Sequence, residues 1–526
     1  MLTLLPALTL LAQTIAAPAP PITPPTAAPT APQTAPPVRP APVVPRQPIP
    51  RAIERQQVVR PLPETLDEVP VFNSNSPELV TEEGILLSTF PKTGMAVPSA
   101  HLDYAFEGRF DIFTHHIARG LNPDDRRTMF LGVMLYNPGD RPVEVQVLQG
   151  ASYLTNEAPY IDLASYIANP YGTVFAGPGS RTMSDMLRGV RQAHFPSRIT
   201  VPAGYTHLLV NAPIPLRRLT VPTDGSLMPG RIITPPKPAQ LIDGSPTDAA
   251  QIGRPKPPQA NRSLPTNGRS SLMYLSSNGP VHVASMAMIA PTTASGSERV
   301  PTLSEWQQLL LNEGLAGPRD LPPTPPEAQR YSRFFYGRVA GVAEGSQWAA
   351  TLTDDDSNTL RIPQPGDYLS YALSTVDHNT FGTEQIQSAP MLARYPDTAY
   401  RAHGNYGIHY NLSLPLVNDS DRTQTVALML ETPLQDESSP GALNFRNPPY
   451  DRIFFRGTVR FRYTDDWNRQ QTRYFHVVQR QGQMGEPLVT LRMPPRLRRM
   501  VEVDFLYPPD ASPPQVVTVH TLEENP

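Results

Sequence analysis

Apolar residues recur at every second position along most of this chain, which is the signature of strands with one buried face. Phe130-Leu-Gly-Val-Met-Leu-Tyr136 is followed by Asn-Pro-Gly-Asp-Arg-Pro and then by Val143, Val145 and Val147. That order predicts a hairpin closed by a polar turn. Leu272–Met288 repeats the theme around Ser277-Asn278-Gly279-Pro280. Arg456–Val478 predicts a third pair, with Val459, Phe461 and Tyr463 on one face and Arg460 and Arg462 on the other. Asp465–Arg469 would be its loop. Helical spacing stands out once: Leu303, Trp306, Leu309 and Leu310 follow candidate caps at Thr302 and Ser304, and Gly314 ends the run. The pattern predicts an all-β protein, two β-sandwich domains with one short helix and long Pro-rich loops.

An internal echo supports two related domains. Offset by 281 residues, Met129–Gly150 aligns with Tyr410–Glu431 without a gap, and Asn137-x-x-Asp140-Arg141 matches Asn418-x-x-Asp421-Arg422. Asn and Asp suit such turns because their side chains bond nearby backbone. The competing reading is two hairpins that solve one turn problem independently.

Composition places the boundaries. The first 38 residues carry no charge, and Leu2–Leu11 is apolar but shorter than the ~20 residues a membrane span needs. Small residues at Ala12, Ala16 and Ala17 follow, so residues 1–17 read as a signal peptide, although no basic residue precedes the apolar run. Residues 18–62 read as a Pro/Ala-rich tether: 14 of the 33 residues from Pro18 to Pro50 are proline, which stops helix and sheet alike. Residues 63–300 would be the first sandwich, with a Pro-rich excursion over 212–267. Residues 301–330 would be a helix and linker, and 331–526 the second sandwich. The expected location is the periplasm, the cell envelope or the extracellular space. Cysteine is absent, which excludes disulfides, thiol chemistry and a lipid-modified N-terminal cysteine. No later apolar run is long enough for a transmembrane anchor.

Net charge is only −3, yet Arg452–Arg499 holds eleven arginines against three acids. Guanidinium forks suit carboxylate, sulfate and phosphate. The candidate ligand-binding residues are therefore Arg456, Arg460, Arg462, Arg473, Arg496, Arg498 and Arg499. For an exported protein the partner would be an acidic polysaccharide or wall component and not nucleic acid. The competing reading is a solvated face paired with acids elsewhere, such as those of Glu64–Glu83. Weak metal candidates are Asp111 with His115, which share a face on a strand, and Asp354, Asp356 and Asn358, which alternate as calcium ligands do. Structural histidines and an incidental acidic turn are the plainer readings. His378, His403 and His409 lie near Asp377 and Glu384, with Tyr395, Tyr400, Tyr406 and Tyr410 among them. Such a loop could bind sugar or, as an alternative, serve a carbohydrate-active hydrolase. Phosphate-loop, nucleophile-elbow and zinc-protease motifs are missing from the sequence, so no cofactor and no reaction is implied.

Three segments carry a family resemblance: Val71-Phe-Asn-Ser-Asn-Ser-Pro-Glu-Leu-Val80, His101–His116 and Tyr507–Val519. Together they resemble an uncharacterised cyanobacterial family, domain of unknown function 3370, over roughly Arg60 to Leu522. The resemblance implies a cyanobacterial, exported protein with no known activity and offers no active-site residues.

Overall fold

A computed structural model describes residues 50–155, 163–217, 219, 264, 266–435 and 441–523. The signal peptide, residues 18–49 of the expected tether and most of the Pro-rich excursion lie outside the described residues. The end of the expected tether is strand instead: Arg51–Gln56 pairs with Ala442–Asn447 and Val58–Arg60 with Tyr368–Leu373. Pro50–Pro526 forms one compact unit.

Strands dominate, as the alternation requires. Among the described residues they form sheets of eleven, seven, five and two strands. The eleven-stranded sheet is organised by Thr266–Ile289. The first part of this strand pairs with Phe106–Arg119 and Val143–Leu154; its last part pairs with Thr128–Tyr136 and Gly84–Ser88. The register shifts between Ser277 and Val281. The expected hairpin over Leu272–Met288 is therefore one long strand. Its Asn-Gly-Pro segment bends the strand from one set of partners to the other, because Pro280 cannot donate to the ladder.

The hairpin expected at 130–147 is also replaced. Thr128–Tyr136 pairs with Thr206–Pro215, whereas Val143–Leu154 pairs with Arg198–Val201. The connection crosses between two sheet segments, and the apolar faces of both strands meet in one core containing Leu131, Val133, Val145 and Val147. The opposite face of Thr128–Tyr136 is covered by the helix Leu303–Asn312. Thr302 caps this helix in a capping box with Glu305, as its spacing predicts. Trp306 lies flat against Gly132, where a Cβ would meet the indole at 2.8 Å. A second helix, Ser180–Leu187, starts after Gly179 in a left-handed conformation.

In the C-terminal half, His409–Val417 and Gln424–Glu431 repeat the crossing connection. The former pairs with Arg498–Leu506 in the seven-stranded sheet, the latter with Val489–Met493 in the five-stranded sheet. One core draws Leu412, Phe461 and Val503 from the first sheet and Leu428, Leu491 and Val517 from the second. The two turns match bond for bond. Asn137 Nδ2 donates to the carbonyls of Arg141 and Val201, and Asn418 Nδ2 to those of Arg422 and Met493. Oδ1 of Asn137 accepts from the Gly139 amide, and that of Asn418 from Ser420. Tyr136 opposes Thr206 as Val417 opposes Arg498. The echo is thus a repeated four-strand unit. Strands also pass between the halves: Ala340–Glu344 pairs with Pro70–Ser74, and Tyr166–Ala168 with Gln470–Arg480.

Candidate functional site

The arginine-rich hairpin forms as its alternation predicts, Ile453–Thr464 against Gln470–Arg480. Phe461 is fully buried, and Arg460 and Arg462 lie on the opposite face. That face carries its own counter-ions. Arg460 reaches Asp504 at 2.6 Å and Arg462 reaches Glu502 at 2.7 Å, because Asp504 and Glu502 stand directly across the ladder. Arg456 pairs with Asp510, Arg496 with Asp421 at 3.1 Å and Arg499 with Asp466 at 2.9 Å. Arg473 opposes Phe461 and so belongs to the other face. Arg473 and Arg498 are exposed and, among the described residues, make no ion pair. The seven arginines are spread over both faces and a turn, and five have acid partners. Those acids come from Asp421, Asp466 and 502–510, not from Glu64–Glu83.

The histidine pair sits on Phe106–Arg119, which is buried on both faces around His115. His116 bonds Ser74 Oγ and the Pro77 carbonyl, each at 2.8 Å. Burial holds its imidazole neutral, down to about 4. His115 Nδ1 meets Ser270 Oγ at 2.8 Å, and its Nε2 lies 3.7 Å from Glu78. Hydroxyl, imidazole and carboxylate thus align as in a nucleophile relay. Ser270 is buried beneath Gly179, where a Cβ would lie 3.2 Å from Oγ, so this relay has no approach for a substrate. Asp111 does not join His115. It is tied to Arg109, and burial pushes its carboxyl up to about 7 against the pull of that arginine. Asp354 spends its oxygens on Arg60 at 3.0 Å and on the Arg361 amide at 2.9 Å, while Asp356 and Asn358 are exposed. Among the described residues no three acids or histidines gather as a metal set.

The histidine- and tyrosine-rich loops divide. Tyr395 and Tyr410 are core residues, Tyr400 lies beneath Arg394, and His409 faces Asp504 at 3.6 Å. Asp377 is held by Arg401 at 3.5 Å. Glu384 lines a groove of about 1090 Å³ with Arg60, Asp354, Arg361 and Tyr368, and Asp377 is not among the lining residues.

What does assemble at the surface is an aromatic cluster built on Tyr331-Ser-Arg-Phe-Phe-Tyr336. His378 packs against Phe334 with ring centroids 4.2 Å apart, and its backbone amide donates to the Tyr336 hydroxyl at 3.1 Å. His378 Nε2 lies 3.4 Å from the Tyr331 hydroxyl. His403 stacks on Tyr336 at 4.8 Å. Burial, reinforced by the Arg338 charge, brings the His403 imidazole down to about 4, so it is neutral at pH 7. Tyr331 and Phe335 remain 46% and 39% exposed, which leaves aromatic faces open to a ligand. Arg330, just before this segment, and Arg333, within it, are exposed and make no ion pair among the described residues. This segment falls where the sequence predicts the start of the second sandwich, directly after the linker that ends at residue 330. Its one signal is four aromatics in six residues.

Comparison with known proteins adds a family and little else. A family model described as "Protein of unknown function (DUF3370)" matches residues 57–521. No curated protein matches. Among solved structures, Lac15 from a marine microbial metagenome shares 11% identity over 80% of this chain and 87% of its own, with a TM-score of 0.10. The coconut allergen cocosin shares 10% identity over 80% and 84%, with a TM-score of 0.10. Pumpkin seed globulin shares 9% over 85% and 86%, with a TM-score of 0.09. Scores this low carry no fold and no function across.

Proposed function

The chain belongs to the DUF3370 family of proteins of unknown function, and for it we propose a non-catalytic role: an exported envelope or extracellular protein that binds acidic surface glycans. The contact surface is the aromatic segment Tyr331–Tyr336 with His378 and His403, not the arginine hairpin. The observation that carries this reading is the pairing of open aromatic faces with Arg330 and Arg333, exposed cations that make no ion pair among the described residues. Sugar rings stack on aromatic faces through their C–H bonds, and exposed guanidiniums hold carboxylate or sulfate substituents. The hairpin arginines offer less, since a ligand must first displace Asp504, Glu502 or Asp510. The neutral His403 contributes a stacking face without adding charge. No helix among the described residues is long and apolar enough to cross a membrane. On this reading glycan contacts and the Pro-rich N-terminal region hold the protein at the envelope.

Titration calorimetry of the full chain with glucuronate-containing oligosaccharides tests this. Tyr331→Ala with Phe335→Ala should weaken binding at least about tenfold, the equivalent of ~1.4 kcal/mol. Arg330→Glu with Arg333→Glu should remove most of its salt dependence. Arg473→Glu with Arg498→Glu should leave binding unchanged. Loss of binding confined to this last pair would return the site to the arginine hairpin.

One observation favours a second reading, a carbohydrate-active hydrolase: the large groove brings Glu384 beside Asp354 and Asp367. Turnover of any glycan that Glu384→Ala abolishes would establish it.

A further inference from the structure

The repeated unit has one strand edge filled in the first half and open in the second. In the first, Pro70–Ser74 runs parallel to Phe106–Arg119, and Ala340–Glu344 adds to its far edge in antiparallel order. Val58–Arg60 holds the corresponding place in the second half, parallel to Tyr368–Leu373. The ladders give the correspondence. Thr266–Ile289 pairs with Val143–Leu154 as Gln515–Thr521 pairs with Gln424–Glu431. Those two strands in turn pair with Phe106–Arg119 and with Tyr368–Leu373. Among the described residues, however, Val58–Arg60 ends its sheet and has no strand on its far edge. Val58, Val59 and Arg60 instead line the groove of about 1090 Å³, and Val58 is 53% exposed.

The backbone of the open edge is turned to receive a strand. Asn75 donates its amide to the Val339 carbonyl, so alternation turns Asn73 and Val71 toward Gly341 and Ala343. Val71 packs outside the core that its neighbour Phe72 enters. Val59 likewise packs outside the core that holds Leu369 and Tyr371. Two strands of the same sense with side chains on the same face have their amides on the same edge. Val59 therefore turns its N–H and C=O into the groove, as Val71 turns its own to Ala343. An open edge of this kind is a template for an extended chain, whose main chain supplies the matching donor and acceptor. Pro61 follows directly and limits the added strand to a few residues.

The groove also selects charge. Arg60 is engaged by Asp354 at 3.0 Å, and Arg361 by Asp354 at 3.8 Å and Asp419 at 3.6 Å. Asp367 and Glu384 line the same groove, are exposed and make no ion pair among the described residues. The charge left open is negative, which complements lysine or arginine. We infer that the groove is a docking site for an extended basic peptide segment of a partner protein, added antiparallel to Val58–Arg60 where the first half carries its own strand. This surface shares no lining residue with the aromatic segment and does not depend on glycan binding.

Fluorescence anisotropy of the full chain with a labelled, capped heptapeptide, Thr-Val-Lys-Val-Lys-Val-Thr, tests this. N-methylation of the central peptide amides removes their donors and should weaken binding at least about tenfold. Glutamate in place of both lysines should cost at least about as much. Val59→Pro removes the amide turned into the groove and should also weaken the lysine peptide, with a melting temperature to confirm the fold. Asp367→Lys with Glu384→Lys should reverse the preference, so that the glutamate peptide binds more tightly than the lysine one. Native protein that binds neither peptide, or binds the N-methylated one equally well, overturns the docking site. A lysine preference that survives the double charge reversal overturns it too. Displacement of the peptide by a neutral glucose hexasaccharide would make the groove a sugar cleft and would equally overturn the inference.

Discussion

Replacing Asn418 by aspartate, a substitution that turn propensity alone permits, should destabilise the protein more than replacing it by alanine. Asn418 is fully buried. Its Nδ2 donates to the carbonyls of Arg422 and Met493, each at 2.7 Å, and its Oδ1 accepts from the Ser420 amide at 3.0 Å and the Ser420 hydroxyl at 2.7 Å. Alanine removes all four bonds. At about 1 kcal/mol net per bond the loss is about 4 kcal/mol. Aspartate keeps the two accepted bonds, but it turns an oxygen toward two carbonyls that need a donor and buries a charge there. Its cost should exceed that of alanine by at least about 1 kcal/mol. The assay is urea unfolding followed by tryptophan fluorescence, since Trp348 lies in the same core, opposite Tyr410 on the strand that leads to this turn, and Trp306 packs against the equivalent strand of the first unit. With a slope of about 3 kcal/mol/M, alanine should lower the midpoint by more than about 1 M. Asn137→Asp should behave alike, because Asn137 also donates to two carbonyls. An Asn418→Asp protein as stable as the native one would refute the account of the turn.

Three further outcomes follow from the packing and the ion pairs. Gly132→Ala places a Cβ 2.8–2.9 Å from three Trp306 ring atoms, so thermal unfolding should show a loss of about 1–3 kcal/mol. Arg460→Ala strips the closest cation from the fully buried Asp504 and should cost about 3–5 kcal/mol, whereas Arg473→Ala should fall within about 0.5 kcal/mol of native in the same urea assay. Burial holds His116 down to about 4 and His476 to about 3, while the unfolded chain protonates both near 6.5. The unfolded state therefore binds the extra protons, and each histidine withdraws about 2 kcal/mol of stability as pH falls from 7 to 5. Asp111, pushed up to about 7 by burial, acts the other way and loses stability as pH rises from about 4 to 7. In urea midpoints measured at pH 5 and 7, His476→Leu should remove about 2 kcal/mol of the acid loss.

Local features were legible in the sequence. The capped helix, the hairpin of Ile453–Thr464 with Gln470–Arg480 and the repeated Asn turn each depend on residues close along the chain. Pairing choices were not. Thr128–Tyr136 and Val143–Leu154 have hairpin periodicity, yet Asn137 anchors to the distant Val201 carbonyl and sends the two strands to different partners. Helix Ser180–Leu187 gave no signal, because it has no side-chain cap and is rich in serine, threonine and aspartate. At the candidate site, the arginines were visible but their acids were not, since Asp504 neutralises Arg460 across a ladder that only the fold creates. Tyr331–Tyr336 was in plain view as an aromatic run, but a prolyl linker before it masked its role.

Hydrogen–deuterium exchange of the full chain with and without a glucuronate–glucose hexasaccharide tests directly the proposal that glycan contacts the aromatic segment. Protection should appear in 330–338, 376–379 and 401–406 and be absent from 456–480. Protection confined to 456–480, or to the groove around Asp354, Asp367 and Glu384, would contradict it.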